Sequence, residues 1–312
     1  MAAASHHPAL EGLQVFERGW LSSNNLLLFD GNGSATLFDS GHVTHAAQTA
    51  ALVRHALAAA AQPTRLARVV NTHLHSDHCG GNATLQRVFD AEVWVPPGHH
   101  DAVLAWDEAA LTYQSSGQLC ERFTPQQVLM PGVPLHAGGR RWEVLAAPGH
   151  DPHSVILFDA AGGLLVSADA LWENGFGVVF PELEGESAFD DVAAVLDLIE
   201  RLGAQVVVPG HGAPFTDVAG ALQRARSRLA VFRGEPARHT RHGAKVLLKY
   251  HLMEVREQPL GALIDWYTRT PMLRRAHAGI GGASLHDWAH ALLADLLKSG
   301  ALVLLDGVVH DA

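Results

Sequence analysis

A chain of 312 residues, 48% apolar and 17% charged, has enough core-forming material to rule out a largely disordered protein, and its length suits one domain of about 200 residues plus a smaller one. The formal charge of -10 argues against a dedicated nucleic-acid binder. The first twenty residues lack the basic start and apolar run of a secretory signal, no later run would span a bilayer, and Cys79 and Cys120 are too few for a disulfide framework, so the expected location is the cytoplasm.

In chain order, LLLFDGNGSATLFDSG reads as a hairpin, residues 26–29 turning through 30–33 into 35–38. The alanine- and leucine-rich stretch 45–61 is expected to be a helix broken by Pro63, and residues 66–70 a strand. A short helix at 83–89 and a strand at 92–95 follow, then a mostly helical or irregular stretch, 98–131. RWEVLAAPGHDPHSVILFDAAGGLLVSADALW reads as strand, loop, strand, turn and strand, with Gly162 and Gly163 at the turn. A helix at 190–202, closed by Gly203, leads to a strand at 205–208 and the loop PGHG. The order of helix, apolar strand and histidine loop thus occurs twice, in LARVVNTHLH and GAQVVVPGHG, so two loops can bring ligands from corresponding strand ends.

Beyond Phe215 the pattern changes. Val218, Leu222, Ala225, Leu229 and Phe232 form one apolar helical face, expected to pack on the first domain. Nine Lys or Arg against three Asp or Glu fall between residues 224 and 257. Helices near 244–256, 260–268 and 285–298, then ALVLLDGVVHDA turning at Asp306 and Gly307, outline a winged-helix-like unit. The expected organisation is a catalytic domain at 1–216, a connecting helix and linker at 217–240, and a C-terminal helical, winged-helix-like domain at 241–312.

NTHLHSDHCGGN, residues 71–82, places three histidines and an aspartate within six positions, directly after a strand. Histidine and carboxylate hold zinc or similar divalent ions in catalytic sites, whereas cysteine clusters mark structural zinc. His73 and His75 alternate along an extended stretch and can approach one metal, while Asp77 and His78 on the ensuing turn can approach a second. Gly80 and Gly81 let the backbone bend into the next helix. His150 in APGHDPH, Asp169 in VSADAL and His211 in VPGHG are further candidates in strand-end loops. His153 reads as a surface or outer-site residue. His42, His45, His99, His100 and His136 lack any spacing signal and read as surface histidines, and the Cys79 thiol as buried packing.

Taken in this order, the residues resemble the metallo-β-lactamase superfamily, in which H-x-H-x-D-H is followed by a separate His, Asp and His; the resemblance runs from about Leu13 to Phe215. It implies an α/β fold, a four-layer αββα sandwich, for the catalytic domain. It puts His73, His75 and His150 on a first metal and Asp77, His78 and His211 on a second, with Asp169 bridging. Asp39 in LFDSG matches an early aspartate that orients ligands from behind. Two divalent metal ions are implied, zinc first, with iron or manganese as alternatives.

Such a pair lowers the pKa of a shared water toward about 7, giving a metal-bridging hydroxide that attacks a carbonyl, with Asp77 accepting or returning a proton. THLHSDHCGGN and APGHDPHSV are most similar to the glyoxalase II-like thioesterase branch. That family follows its bridging aspartate with Gly-Cys-Gly and a basic residue for a glutathione carboxylate; here Val178 stands in the basic position. Lactonases of the superfamily often place a tyrosine three residues after the aspartate, where this chain has Trp172, which has no phenolic proton. Trp172, Phe176 and Phe180 are candidates for an apolar substrate wall. The expectation is an ester or thioester hydrolase acting on a small-molecule acyl substrate, with no membrane partner and with a homodimer allowed.

Four rivals remain in view. A lactonase or β-lactamase-like hydrolase would share the ligands. An iron protein with redox chemistry would consume oxygen. An RNA-processing metallohydrolase would use the basic C-terminal unit and bind RNA in a salt-sensitive way, although the overall acidity and the lack of an inserted nuclease domain oppose it. A ligand-binding protein could keep the site without turnover.

Overall fold

The structure, a computed structural model, describes residues 7–312. In a first sheet, β1 (Leu13–Phe16), β2 (Asn25–Phe29) and β3 (Ser34–Phe38) form an antiparallel meander. Helix α1 (Ala46–Ala58) crosses to β4 (Arg65–Val70), α2 (Ser76–Cys79) and α3 (Asn82–Phe89) lead to β5 (Glu92–Val95), and α4 (His100–Ala105) and α5 (Tyr113–Ser116) precede β6 (Gln127–Val128). Strands β3 to β6 run parallel, in the order β1-β2-β3-β4-β5-β6. The second sheet holds β7 (Leu135–Ala137), β8 (Arg140–Ala146), β9 (Val155–Asp159) and β10 (Leu164–Ala168); α6 (Phe180–Glu184) and α7 (Phe189–Leu202) then lead to β11 (Val206–Pro209). Its order is β11-β10-β9-β8-β7, antiparallel except where β10 meets β11.

Alternate residues of a strand face opposite ways, and here both faces are covered. Leu27, Leu37 and Val69 pack with Val53 of α1 and Leu85 of α3. Leu26, Leu28, Phe38 and Val70 face the other sheet and meet Val144, Leu157, Val166 and Val208. On the far side Ile156, Leu165 and Val207 pack with Val195 of α7 and Leu222 of the next helix. Three apolar layers between four layers of secondary structure make the αββα sandwich, and burial on both faces is why the strands read as unbroken apolar runs.

Helix α8 (Val218–Gly234) covers the second sheet with Leu222, Ala225, Leu229 and Phe232. Then come α9 (Pro236–Val255), β12 (Glu257–Pro259), α10 (Leu260–Arg269), α11 (Pro271–Ile280), α12 (Leu285–Lys298), β13 (Leu302–Leu305) and β14 (Val308–Asp311). These form a small unit with its own core of Leu248, Leu252, Tyr267, Leu273 and Leu292, and a sheet ordered β12-β14-β13. Three of its features differ from the sequence reading. Helix α9 begins at Pro236, a residue suited to the first turn of a helix, although the stretch to residue 240 reads as linker and the expected helix starts only near 244. Helix α11 is additional and also opens on a proline, Pro271. Strand β12 ends in Pro259 and lies at the sheet edge, where the missing N–H is tolerated but the strand pattern is hidden.

Helix α9 joins the two units. Gly243 lets it approach α6, since a Cβ there would lie 2.8 Å from a Leu183 methyl. One turn apart near its end, Tyr250 shares a hydrogen bond of 2.7 Å with Ser76 Oγ, and Glu254 meets His42 Nε2 at 3.2 Å and the Leu119 amide at 3.3 Å. The expectation of surface histidines therefore needs correction at two positions. His42 is fully buried because α9 packs over it with a carboxylate, and His99 is buried against the ring of His153.

Candidate metal centre

Five of the seven candidate donors sit in strand-end loops and two, Asp77 and His78, in the short helix α2. The stretch after β4 runs extended to His75 and then enters α2, so His73 and His75 project before the turn while Asp77 and His78 project from it. The chain is pressed against its neighbours where it leaves: a Cβ at Gly80 would lie 2.5 Å from the Val43 nitrogen, and one at Gly81 2.4 Å from the Ser40 oxygen. The second sheet supplies His150 after β8, Asp169 after β10 and His211 after β11.

Two donor groups result. His73, His75 and His150 each offer an atom within 4.8 Å of the others, and so do Asp77, His78, Asp169 and His211; all seven residues are buried. His75 Nδ1 is 2.8 Å from His150 Nε2, and His211 Nε2 is 2.9 Å from Asp77 Oδ2. The Asp169 carboxylate stands between the groups: Oδ2 is 3.3 Å from His150 Nε2 and 3.9 Å from His211 Nε2, and Oδ1 is 3.5 Å from His78 Nε2. His73 Nε2 and His78 Nε2 are buried without any hydrogen-bond partner among the described residues. Orphaned imidazole nitrogens aimed among buried carboxylates would be costly, and coordination would satisfy them, so the donor set fits divalent ions.

The electrostatics agree. Burial, with His78, His75 and His150 alongside, holds His73 well below the usual imidazole range, and burial with His150 nearby brings His75 to about 4. Burial alone would raise Asp77, but His78 and His211 outweigh it and bring the carboxyl to about 2. Burial would likewise depress His78, yet Asp39, Asp169 and Asp77 push it well above its ordinary value. Asp77 and Asp169 on the Nε2 side of His78, with Asp39 behind it on Nδ1, favour positive charge at the site, the requirement a divalent ion meets.

Further residues hold the donors in place. Asp39, at φ 55, accepts from His78 Nδ1 at 2.8 Å and from the Thr72 amide and hydroxyl at 2.9 and 2.8 Å. Thr72 Oγ1 in turn lies 3.1 Å from His73 Nδ1. His150 Nδ1 donates to the Val178 carbonyl. Asp151, which the sequence reading overlooked although it directly follows His150, lies 3.7 Å from His75 Nε2 and so sits behind that ring. An Asp39→Ala variant should bind metal about 10- to 100-fold more weakly, read by competition with a chromogenic chelator.

Five of the donors, His75, Asp77, His150, Asp169 and His211, line a cavity of about 540 Å³, with His73 and His78 buried and not among its lining residues. Trp172 and Phe180 line it, and Trp172 Nε1 donates to Asp169 Oδ1 at 3.1 Å. Phe176 does not: it is 2% exposed, in the core beneath α8. Two lining aromatics had no sequence signal. Trp20, 60% exposed in the β1–β2 loop, stacks on His211 and meets Trp172 edge-on, both at 5.4 Å. Tyr250 comes from α9. A larger open groove, about 790 Å³ along Arg68, Glu92 and Arg140, contains none of the seven donors.

Comparison with known proteins matches residues 18–211 to the family model described as Metallo-beta-lactamase superfamily. A hydroxyacylglutathione hydrolase of Anaeromyxobacter dehalogenans (strain 2CP-C) is 30% identical over 224 residues, 69% of this chain and 74% of that protein. The acyl-coenzyme A thioesterase MBLAC2 of Bos taurus is 26% identical over 214 residues, 63% of this chain and 76% of that one. A metallo-beta-lactamase family protein of Thermus thermophilus superposes with a TM-score of 0.55 at 22% identity, over 96% of this chain and 99% of its own. A beta-lactamase domain protein of Burkholderia ambifaria gives 0.56 at 21%, over 96% and 92%.

Proposed function

The chain belongs to the metallo-beta-lactamase superfamily, and on that premise we propose that it hydrolyses a carbonyl thioester or ester in a glyoxalase II-like manner, without specificity for glutathione. The observation that carries this reading is the convergence of two donor groups, with Asp169 between them, on the floor of an aromatic cleft. When bound, two divalent ions would supply Lewis acidity and a water acidified toward a pKa of about 7. His73, His75 and His150 would hold one ion, Asp77, His78 and His211 the other, and Asp169 would face both. Zinc is the first expectation; iron and manganese take the same donors.

The remaining steps belong to the protein. Asp77, ionised at neutral pH and with Oδ2 2.9 Å from His211 Nε2, would accept the proton that the attacking water gives up and return it to the leaving group. Trp20, Trp172 and Phe180 shelter the acyl portion from water. The Tyr250 hydroxyl, paired with Ser76, offers a donor on the opposite wall. Val178 lines the cleft with an apolar side chain and spends its carbonyl on His150, which supports a leaving group other than glutathione.

The two relatives above are named for hydrolysis of acyl groups on thiol carriers, which supports a thioester first. The basic stretch offers little free charge to nucleic acid: Arg226 meets Asp197 and Glu200, Arg233 meets Asp190, and Arg241 meets Asp295. No described helix is long and apolar enough to cross a membrane. The test is thiol release from an acyl-thioester panel that includes S-lactoylglutathione, with and without chelator. Chelator-sensitive turnover is expected, faster on thioesters lacking glutathione. A metal-loaded protein inert on the whole panel overturns the proposal and moves lactones, phosphodiesters and RNA forward.

A further inference from the structure

Helices α8 and α9 contribute residues to the lining of the cleft, and one cation on them is treated differently from the rest. Arg224, Arg226, Arg233, Arg238, Arg241, Lys245 and Lys249 each have a carboxylate within 4.0 Å. Arg228 has none among the described residues. Its guanidinium is half-buried, faces the rings of Phe176 at 5.5 Å and Phe232 at 5.3 Å, and uses one N–H, on Nη2, toward His242 Nε2 at 2.6 Å. Burial lowers its pKa, as it does that of His242, which falls to about 4 and is therefore a neutral acceptor at pH 7.

The guanidinium carbon stands over the two rings, and the His242 contact is the one hydrogen bond of the guanidinium among the described residues, so further N–H groups of the fork remain to donate. The Gly175 backbone lies close by, where a Cβ would come within 2.8 Å of Nη1, so the site excludes bulk from that side. Arg228, His242 and Lys245 all line the same cavity as the metal donors. Lys245 shares Asp295 with Arg241 at 3.5 Å, a loose pairing that leaves it able to turn. A half-buried, rigidly held and unneutralised fork beside a substrate cavity is suited to an arriving oxyanion.

We infer that Arg228, oriented by His242 and flanked by Lys245, anchors an anionic group that the substrate carries away from its scissile carbonyl. This rests on reading the cleft as a hydrolase site and adds the substrate class: an acyl compound bearing a phosphate or carboxylate. The anion has two sources, a phosphorylated thiol carrier or an acidic acyl chain. It supplies no step of the bond cleavage, so Arg228 determines specificity and does not touch the reacting atoms.

The test combines kinetics and binding. Butanoyl-coenzyme A carries the anion on the carrier, the N-acetylcysteamine thioester of butanedioic acid carries it on the acyl chain, and butanoyl-N-acetylcysteamine carries none. Arg228→Gln should raise KM about tenfold or more for one of the two anionic substrates, with kcat kept and the neutral substrate unaffected. Arg228→Lys should recover part of the loss, and it serves in place of Arg228→Gln if that variant does not fold. Calorimetric binding to the full chain, comparing coenzyme A with pantetheine and butanedioate with butanoate, stands apart from turnover. If wild type cleaves no thioester yet prefers an anionic probe and loses the preference in the variant, the reaction fails and the anchor survives. Equal binding within both pairs, or a preference the variant leaves intact, overturns the anchor.

Discussion

Asp169→Ala should lose bound metal and at least about a thousandfold of hydrolytic rate, the largest effect expected of any single change in this chain. Its carboxylate faces both donor sets, 3.3 Å from His150 and 3.9 Å from His211, with His78 at 3.5 Å from its other oxygen. Without it, the five donor imidazoles and Asp77 remain around a buried region with half of the facing negative charge gone. Elemental analysis of the purified variant would show fewer than two ions per chain. Asp169→Asn keeps the shape and removes the charge, so the two variants together separate packing from electrostatics. A variant that keeps its full metal complement would show that Asp169 is not a ligand.

Glu254→Ala is the second large effect, and it acts on stability. The Glu254 side chain is only 4% exposed, pairs with a fully buried His42 and accepts from the Leu119 amide, tying α9 to two loops of the catalytic sandwich. Removing one partner of a buried pair strands the other, so urea unfolding should show a loss of about 2–4 kcal/mol. Glu254→Gln, which can still hydrogen-bond, should lose less. Tyr250 lies one turn earlier on the same helix, and its bond to Ser76 depends on the same docking. A drop in turnover should therefore accompany the drop in stability. An Ala variant as stable as the parent would mean that α9 is held by its apolar contacts alone.

The donor residues were legible in the sequence because each lies in the short segment that directly follows a strand, four after β4 and one each after β8, β10 and β11. H-x-H-x-D-H packs four of them into six positions, and PGHD, SADA and PGHG each end an apolar run. Strands alternating with helices were legible for a related reason, since two-sided burial leaves unbroken apolar runs at βα spacing, while the four-layer sandwich followed from the family resemblance that the donor series carries. What escaped was set by tertiary contact. Trp20 lies in an ordinary loop, and only the fold brings it onto His211 and Trp172. Tyr250 and Arg228 sit on helices whose polar residues look like a solvated face until α9 is laid across the cleft. Phe176 and Phe180 are indistinguishable in sequence, yet the chain turns between them so that one faces the core and the other the cavity. His42 reads as exposed because its carboxylate partner lies 212 positions away.

The donors come from both sheets: His73, His75, Asp77 and His78 follow β4 of the first, while His150, Asp169 and His211 follow β8, β10 and β11 of the second. An ion bound there is therefore a rivet through the open end of the sandwich, joining two layers that otherwise meet mainly through apolar side chains. Linkage makes this reciprocal: the energy that seats the ion also resists shear between the sheets, and any loosening of the seam between them is felt as weaker retention of the ion. Trp142, buried between the sheets and edge-on to Phe38, lies on β8, the strand that leads to His150, and belongs to the same mechanical unit. In this arrangement the cargo at the rim and the seam beneath it are two readings of one clamp.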